Sequence, residues 1–473
     1  MVDASMLETR LRAALGGDAG ALVFGNEVPV KHHADWSRLA ATPPLALARP
    51  RTTEHVAAIL RVCNETRTPV VPQGGLTGLV GGAHPVQDCV ALSLERMAGV
   101  ESLDIAASRM TVLAGTTLES AQVEAASVGL MLALDLGARG SCTVGGNLAT
   151  NAGGNRVILH GTARDQVLGL EAVLADGTVL SSMNGLVKNN TGYDLKHLFI
   201  GSEGTLGVIT RAVLRLRPRP TSVSTALCAV GSPADLTGLL SALRTRLGPS
   251  LSAFEAMWPD FWTAMTTTMG KRSPFDRAHG AYALVEMSGF DPGSDEERLQ
   301  AALADIAEAG TLADAVIAQT EGQAADFWAI REAVGHLRGV LGPLTSFDVG
   351  IESKAVQAFA EAAAQQVQSR WPDAVHLTYG HLGDDNIHIV VHVPSAGVSQ
   401  PKEEIDHAVY ELVRAYGGSV SAEHGIGLSK RAYLGSSRTE PEILTMREIK
   451  RVLDPNGIMN PGKIFIADNG NAL

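Results

Sequence analysis

Two separated strings of the sequence place histidines and carboxylates where they suit a metal ion. In YGHLGDDNIHIVVH, His381 precedes the turn residues Gly383–Asn386 and His388 begins an apolar strand, so the turn would fold one histidine back towards the other. In SAEHGIG, Glu423 and His424 are adjacent. Two imidazoles and one carboxylate suit Zn²⁺ with an open coordination position, and they also suit Fe²⁺ or Mn²⁺. The alternative is that these histidines are satisfied in a core or exposed on a surface.

Two glycine-rich strings are suited to hold an anionic ligand through backbone groups alone. PQGGLTGLVGG, residues 72–82, follows an apolar strand, and successive N–H groups of such a string form an anion-binding concavity without a cation. GARGSCTVGGNLATNAGG, residues 137–154, adds small hydroxyl and amide side chains and suits a large planar ligand. Neither has the G-x-G-x-x-G spacing that opens a helix in ordinary NAD-binding folds. A flexible surface loop is the alternative for each string.

Helices and strands must alternate along the chain to position these strings. Apolar spacing predicts a helix over 53–64, a strand at 69–72, and a hairpin whose strands flank the turn Asp176-Gly177. The prolines of RLRPRPTS predict a domain boundary near residue 220. Beyond it the pattern is typical of two-layer α+β structure, with one helix over 324–340 and a strand pair over 375–393.

Composition argues against several classes of function. The chain has 473 residues with 38 Lys+Arg against 50 Asp+Glu, and this formal net charge of −12 argues against a nucleic-acid partner. Its 4 cysteines form no CxxC pair, so neither a disulfide scaffold nor a four-thiolate zinc site is expected. No apolar run approaches the ~18 residues of a membrane span, and the first residues lack the pattern of a secretory signal. The expected location is cytoplasmic.

Three strings, PQGGLTGLVGG, GSCTVGGNLATNAGG and GSEGTLGVIT, occur in this order and resemble the FAD-binding domain of the vanillyl-alcohol-oxidase/p-cresol-methylhydroxylase flavoproteins. From Trp36 to Phe465 the chain is similar to the D-lactate, glycolate and D-2-hydroxyglutarate dehydrogenase group of that superfamily. The resemblance implies an α+β fold, with a two-subdomain FAD-binding domain and a substrate cap that contains an antiparallel sheet. The implied organisation is an N-terminal helical segment at 1–44, the FAD-binding domain at 45–220, the cap at 221–420, and a C-terminal segment at 421–473 that returns to the flavin.

The resemblance also implies how FAD is held. Gly74–Gly78 would bind the pyrophosphate, the second glycine-rich string would flank the isoalloxazine and ribityl chain, and Val208 and Ile209 would lie near the adenine. Members with covalent flavin carry a histidine in the first string, and residues 74–78 have none, so the FAD would be non-covalent. Leu76 stands where members often have Asn, which removes one side-chain contact. The implied cofactor residues are Pro72, Gln73, Gly74, Gly75, Leu76, Thr77, Gly78, Gly140, Ser141, Thr143, Gly145, Gly146, Asn147, Thr150, Asn151, Gly153, Gly207, Val208, Ile209 and, near the ring, Asn460.

The same resemblance assigns roles to the residues around the two histidine-containing strings. His381, His388 and Glu423 would bind a divalent metal, with Zn²⁺ expected and Mn²⁺ or Fe²⁺ as alternatives. His424 would remain free to act as a general base, since imidazole titrates near working pH. Asn386 would face the substrate.

One helical arginine and two neighbouring positions bear on which substrate is bound. Judged alone, Arg331 reads as a solvated helix charge, but its string DFWAIR resembles the group's carboxylate-binding arginine, and a guanidinium suits bidentate capture. Members acting on 2-hydroxyglutarate carry Lys where Ser346 stands and Thr where Gly335 stands. A clamp for a second carboxylate is therefore not expected, unless His336 or Arg338 replaces it. Monocarboxylic acids such as lactate are the expected preference.

The resemblance thus implies an FAD-dependent dehydrogenase that oxidises a D-2-hydroxy acid to the 2-oxo acid by hydride transfer to flavin N5, with metal assistance. A D-2-hydroxyglutarate-specific enzyme is the alternative within the group. From the residues, a metal-dependent hydrolase and a non-catalytic nucleotide-binding or electron-carrier protein also stay open. The expected partners are a small 2-hydroxy acid, an electron-transferring flavoprotein or a quinone as acceptor, with dioxygen also open, and a second copy of the chain in a homodimer.

Overall fold

The chain forms two compact units in a computed structural model that describes residues 4–18 and 20–466. The first unit contains residues 4–154, 161–219 and 423–466 of the described chain. The second contains Asn155–His160 and Pro220–Ala422, so six residues that directly follow the second glycine-rich string belong to it. Among the residues described, no helix is both long and apolar enough to cross a membrane.

The strands of the described residues have the following bounds. In chain order they are β1 (Leu22–Phe24), β2 (Ala46–Ala48), β3 (Val70–Gln73), β4 (Val90–Ser93), β5 (Val100–Asp104), β6 (Arg109–Leu113), β7 (Leu130–Met131), β8 (Val167–Val173), β9 (Val179–Ser182), β10 (Val208–Arg215), β11 (Arg217–Pro218), β12 (Ser222–Val230), β13 (Leu251–Met257), β14 (Ala281–Gly289), β15 (Asp314–Ile317), β16 (Thr345–Gly350), β17 (Val375–His381) and β18 (Asn386–His392).

The α-helices include both long, capped elements and single turns. In chain order they are α1 (Ala4–Ala14), α2 (Thr53–Thr66), α3 (Leu118–Ser127), α4 (Val144–Ala149), α5 (Val157–His160), α6 (Lys196–Phe199), α7 (Asp235–Leu247), α8 (Pro259–Thr263), α9 (Pro292–Glu308), α10 (Glu321–Glu332), α11 (Leu337–Leu341), α12 (Val356–Arg370), α13 (Lys402–Ala415) and α14 (Glu440–Leu453).

The first unit is built on two main sheets. A four-stranded sheet has the order β1-β2-β4-β3, with β2, β4 and β3 parallel, and a five-stranded antiparallel sheet has the order β5-β6-β10-β8-β9. Helix α2 begins after Thr52, whose hydroxyl accepts a hydrogen bond from the N–H of His55. Its apolar face, including Ile59 and Leu60, is buried in an aliphatic core. The first glycine-rich string leaves the end of β3, so this core fixes where the string starts.

The segment before residue 45 packs inside this unit. Helix α1 contacts α2, and β1 pairs antiparallel with β2 to complete the four-stranded sheet. The predicted hairpin around Asp176-Gly177 is confirmed, since β8 pairs antiparallel with β9. Gly177 takes a φ of 83° in this turn, which glycine adopts without steric cost.

The second unit is one seven-stranded antiparallel sheet with helices packed on it. The strand order is β15-β12-β14-β13-β17-β18-β16, and every neighbouring pair is antiparallel. Phe327 and Ile330 of α10 pack in one apolar cluster with Met257, Tyr379 and Val390 of the sheet. The predicted α+β class, with an antiparallel sheet in the second half of the chain, is confirmed.

Two local predictions differ from the structure. The single helix over 324–340 is wrong, because α10 ends at Glu332 and a 3₁₀ turn covers Ala333–His336 before α11 begins. Gly335 lies in that turn, and glycine in a helix interior weakens the α-helix. The second glycine-rich string is also not wholly irregular, since its middle forms the short helix α4.

Candidate functional site

In the first unit, the two glycine-rich strings border one cavity of about 560 Å³. Gly74–Leu76 contribute from the first string, and Ser141 and Thr143 contribute from the second. His32 also lines this cavity, and its Nε2 is buried without a hydrogen-bond partner in the described part of the chain. Burial lowers the pKa of the His32 imidazole, which favours its neutral form. A cavity of this size suits a cofactor-sized ligand.

Glycine is required where the two strings approach each other. A Cβ on Gly75 would lie 2.7 Å from the carbonyl carbon of Ser141 and 2.8 Å from Cα of Cys142. A Cβ on Gly74 would lie 2.5 Å from Oγ1 of Thr143. Real Cβ atoms do not approach other atoms so closely, so bare backbone forms this wall of the cavity. Such a wall fits the anionic diphosphate of FAD, which exposed backbone N–H groups bind.

The second string is held in place by short-range contacts. The Thr143 side chain caps α4 by accepting a hydrogen bond from the N–H of Gly146 at 3.3 Å. A Cβ on Gly145 would lie 2.6 Å from Cβ of Ala114, so this residue also has to be glycine. Asn147 is buried, and its Nδ2 has no hydrogen-bond partner among residues 4–18 and 20–466.

Two residues predicted to bind the cofactor, Gln73 and Asn151, make hydrogen bonds to other residues of the first unit. Oε1 of Gln73 lies 2.8 Å from Nδ1 of His32, and its amide nitrogen donates to two main-chain carbonyl oxygens. Oδ1 of Asn151 accepts hydrogen bonds from Oγ1 of Thr162 and the N–H of Arg164, both at 3.0 Å. The structure therefore gives these side chains a supporting position.

Asn460, in the C-terminal tail, ties the first string to the GSEGTLG string. Its N–H donates to the carbonyl oxygen of Val70 at 2.8 Å. Its Nδ2 donates to Gly82 O at 2.8 Å and to Glu203 O at 2.7 Å. The side-chain Oδ1 is buried with no partner in the described residues. The tail thus packs in the same unit as both strings.

The remaining predicted cofactor residues do not line the cavity. Val208 and Ile209 begin β10, pair with Val173 and Ala172, and are buried in the aliphatic core. Their proximity to adenine stays a prediction, as does that of Gly207 beside them. The others belong to the two strings on either side of the cavity-lining residues: Pro72, Thr77, Gly78, Gly140, Thr150 and Gly153.

Leu76 adopts a left-handed backbone conformation, with φ 58°. This conformation costs an L-residue about 1–2 kcal/mol, and Asn tolerates it better than Leu. We therefore expect Leu76→Asn to raise the free energy of unfolding by ~1 kcal/mol and to slow FAD loss. Thermal unfolding and flavin release on dilution measure the two effects. Leu79→Asn is the matched control, because Leu79 lies in the same string without a positive φ; an equal gain in both variants would contradict the explanation.

In the second unit, the strand pair β17–β18 brings the two predicted metal histidines onto one face. His381 pairs with Asn386, and Tyr379 pairs with His388, so all four side chains share that face. The His381 and His388 rings lie 5.3 Å apart. One ring nitrogen of His381 lies within 4.8 Å of one ring nitrogen of His388, and these two histidines form the candidate metal cluster. Imidazole nitrogens are donors that suit a zinc-like ion.

Arg331 and His381 are joined by a buried carboxylate that the sequence analysis did not identify. Arg331 Nε donates to Oε2 of Glu255 at 2.8 Å, and Nδ1 of His381 lies 2.6 Å from its Oε1. The Arg331 guanidinium also lies 4.6 Å from the centroid of the Tyr379 ring. Burial would raise the pKa of Glu255, but His381 and Arg331 outweigh it and lower the pKa to about 2. Arg331 is only 7% exposed, so it is not a solvated helix charge.

Asn386 is the first residue of β18, and both polar atoms of its buried side chain lack hydrogen-bond partners among the described residues. It is 3% exposed, and neither its Nδ2 nor its Oδ1 has a hydrogen-bond partner within the described ranges. Leaving a buried amide unpaired costs free energy, so the group is suited to a ligand. The neighbouring turn is fixed by packing, because a Cβ on Gly383 would lie 2.5 Å from Cδ1 of Ile158 in α5.

The segment that carries Glu423 and His424 is anchored at both ends, within the unit to which each end belongs. In the second unit, Asp348 accepts hydrogen bonds from the N–H of Ala422 at 2.7 Å and from Oγ of Ser421 at 3.0 Å. In the first unit, the buried carboxylate of Glu203 accepts hydrogen bonds from the N–H groups of residues 426 and 427 at 2.7 and 2.8 Å. His424 lies between these two anchors in the sequence.

Sequence reasoning missed three carboxylates that hold the site residues in place: Glu255, Glu203 and Asp348. A signal for the first was present, because LSAFEAM is a buried strand in which a single charged residue interrupts small and apolar ones. Glu203 likewise stands alone between the glycines of GSEG. A charged residue in such a position must be paired when it is buried, which predicts a partner but does not say which one.

Comparison with protein families identifies the class of this chain. Residues 219–464 match the family described as FAD linked oxidases, C-terminal domain, and residues 44–182 match the family described as FAD binding domain. The chain therefore belongs to the FAD-linked oxidase flavoproteins, and FAD is the cofactor of its first unit. The resemblance that the glycine-rich strings indicated is confirmed.

Individual relatives narrow the group. The chain is 39% identical over 434 residues to the mitochondrial D-2-hydroxyglutarate dehydrogenase of Bos taurus, covering 92% of this chain and 79% of that protein. It is 39% identical over 436 residues to the D-2-hydroxyglutarate dehydrogenase of Xanthomonas citri, covering 91% of each. A crystal structure of p-cresol methylhydroxylase matches with a TM-score of 0.75 at 18% identity, over 99% of this chain and 98% of that one, which confirms the expected fold.

Proposed function

We propose that this protein is an FAD-dependent dehydrogenase that oxidises a D-2-hydroxy acid to the 2-oxo acid with metal assistance. The observation that carries the proposal is the arrangement on one face of the second unit. There, a buried arginine and a histidine of the candidate metal cluster share the carboxylate of Glu255. In a 2-hydroxy acid, the carboxylate can bind to a guanidinium and the hydroxyl can bind to a metal ion.

The residues of the chain would divide the work as follows. Arg331 binds the substrate carboxylate through its two terminal nitrogens, since its Nε is occupied by Glu255. By the resemblance, His381, His388 and Glu423 would hold the divalent ion, with Zn²⁺ expected and Mn²⁺ or Fe²⁺ as alternatives. Such an ion supplies Lewis acidity and lowers the pKa of a hydroxyl that it binds.

Two further residues complete the proposed chemistry. His424 takes the hydroxyl proton on an imidazole nitrogen, and the Asn386 amide, which has no hydrogen-bond partner among the described residues, orients the substrate. Non-covalent FAD supplies the hydride acceptor at N5. The resemblance implies the roles of His424 and Asn386. An imidazole can accept a proton and an amide can hydrogen-bond to a substrate, so both residue types suit these roles.

Flavin reduction tests the activity. Under anaerobic conditions, we expect a D-2-hydroxy acid to bleach the flavin absorbance of the purified protein. Protein that carries no flavin would favour the metal-dependent hydrolase. Flavin that stays oxidised across a panel of 2-hydroxy acids would favour the non-catalytic nucleotide-binding or electron-carrier protein. Either result would contradict the proposal.

Position 346 underlies the proposed substrate preference. Ser346 pairs with Val390, one alternate position from the Asp348–His388 pair, so it lies on the face of the metal histidines and brings no charge to it. Arg338, a candidate to replace the missing cation, donates to the carbonyl oxygen of Leu344.

We therefore expect D-lactate-like monocarboxylic acids to give at least ~10-fold higher kcat/KM than D-2-hydroxyglutarate, because a distal carboxylate would lack a charged partner. The names of the two relatives favour the five-carbon diacid instead. Steady-state kinetics with both acids decides between these preferences, and Ser346→Lys should raise kcat/KM for the diacid selectively. A wild-type preference for the diacid would contradict the inference.

Reoxidation requires an acceptor, for which an electron-transferring flavoprotein or a quinone is proposed and dioxygen stays open. We also propose a homodimer and a cytoplasmic location. The bovine relative is named as mitochondrial, so fractionation of the native cells, with the assembly measured by light scattering, tests both proposals.

A further inference from the structure

Glu255 occupies a position from which it acts on two groups of the proposed site at once. It lies in β13, is fully buried, and has one carboxylate oxygen on His381 Nδ1 at 2.6 Å and the other on Arg331 Nε at 2.8 Å. Strand β13 is the neighbour of β17, which ends at His381, so the sheet order creates the first contact. Helix α10 lies over the same face and supplies the arginine.

The contact with His381 determines which of its nitrogens is available for a metal. A carboxylate only accepts hydrogen bonds, so Nδ1 at 2.6 Å has to carry the proton. In the neutral imidazole, Nε2 is then the unprotonated nitrogen, which can ligate a metal. In metal sites, a carboxylate bonded to the second nitrogen of a ligating histidine fixes the tautomer and the ring orientation, and it raises the basicity of the ligand.

The contact with Arg331 determines which of its nitrogens is available for substrate. Glu255 holds Nε, and the Tyr379 ring lies beneath the guanidinium plane, 4.6 Å from its carbon. In the described residues, this is the only protein hydrogen bond that the Arg331 side chain makes. The two terminal nitrogens therefore keep one fixed orientation, which lowers the entropy lost when a carboxylate binds.

We propose that Glu255 is the positioning residue that aligns the substrate arginine and the metal histidine with each other, an inference that rests on the proposed function. One carboxylate sets the distance and orientation between the group that binds the substrate carboxylate and the group that holds the metal. Glu255 does not itself touch the substrate.

Glu255→Gln tests the proposal with almost no change of shape. An amide has one acceptor atom, so it cannot accept from both His381 Nδ1 and Arg331 Nε. If the amide nitrogen faces His381, it selects the opposite tautomer and places the proton on Nε2. We expect zinc affinity, measured by competition with a chelator of known affinity, to fall about 10–100-fold while FAD content is unchanged. KM for the hydroxy acid should rise as well.

Glu286→Gln is the matched control. Glu286 is also buried on this sheet, and its carboxylate accepts a hydrogen bond from Arg156 Nε at 2.9 Å. It also accepts a hydrogen bond from Trp328 Nε1 at 3.3 Å, whereas Glu255 contacts a histidine. We expect its zinc affinity to equal that of the wild type. Equal zinc affinity in wild type and Glu255→Gln would overturn the positioning role alone. A wild type that binds no divalent ion would contradict the metal assignment and the positioning role together.

A measurement on the unmodified protein covers the case in which Glu255→Gln does not fold. In zinc-loaded holoenzyme with ¹⁵N-labelled histidine, we expect the His381 signals, identified by their loss in His381→Asn, to show a protonated Nδ1 and a metal-bound Nε2. A protonated Nε2 with a metal-bound Nδ1 would overturn the proposal.

Discussion

His388→Ala is expected to reduce turnover about a hundredfold or more while the protein keeps its FAD. His388 lies in the second unit, in the middle of a strand pair, and provides one of the two imidazoles of the candidate metal cluster. Removing a ligand lowers metal affinity and with it the acidity of the substrate hydroxyl. Anaerobic flavin reduction by a D-2-hydroxy acid measures the turnover, and the flavin absorbance of the purified variant measures the cofactor.

His392→Ala is the control for this prediction. His392 lies on the same strand and face, four residues further on, and its Nδ1 bonds to the carbonyl oxygen of Pro343 outside the cluster. Its loss should leave zinc affinity unchanged. Chelation of the wild type should reproduce the His388→Ala defect, and added Zn²⁺ should restore activity to the wild type. Full activity in the chelated enzyme would show that the Lewis-acid role is wrong.

Gly75→Ala is expected to give a colourless protein. The added Cβ would overlap the main chain of Ser141 and Cys142, which cannot move aside as a flexible side chain can. The two strings would have to separate at the wall of the cavity. Overpacking of this kind costs roughly 1–3 kcal/mol. The strain would arise at the contact between the two strings that borders the proposed cofactor cavity. FAD content per polypeptide and the unfolding midpoint measure the two effects.

Gly78→Ala is the control within the same string. A Cβ there would first meet Oδ2 of Asp35 at 3.7 Å, an ordinary contact, and this position has no positive φ. We expect it to retain FAD and to unfold near the wild-type midpoint. If Gly75→Ala retained FAD as well, the close approach of the two strings would not be what holds the cofactor.

Much of the local structure could be predicted from the sequence because it depends on short-range patterns. The capped helix α2, the hairpin at Asp176-Gly177 and the strand pair β17–β18 were all readable from spacing and turn residues. The proximity of His381 and His388 follows from that same strand pair, since a tight turn joins them. The 3₁₀ turn that contains Gly335 was not predicted, because the apolar periodicity of a helix continues through a single 3₁₀ turn.

The flavoprotein family, the glycine-rich strings and the histidine pair can be identified from the sequence alone, because each is carried by contiguous strings or by one hairpin. The contacts that hold these residues in position form only in the folded protein. Glu255 lies 76 residues from Arg331 and 126 from His381, and Glu203 lies 223 residues from Ile426. Such contacts depend on strand order, here β13 beside β17, and on which loops meet within a unit. Periodicity reports which face of an element is buried, but it carries no information about which distant partner that face meets.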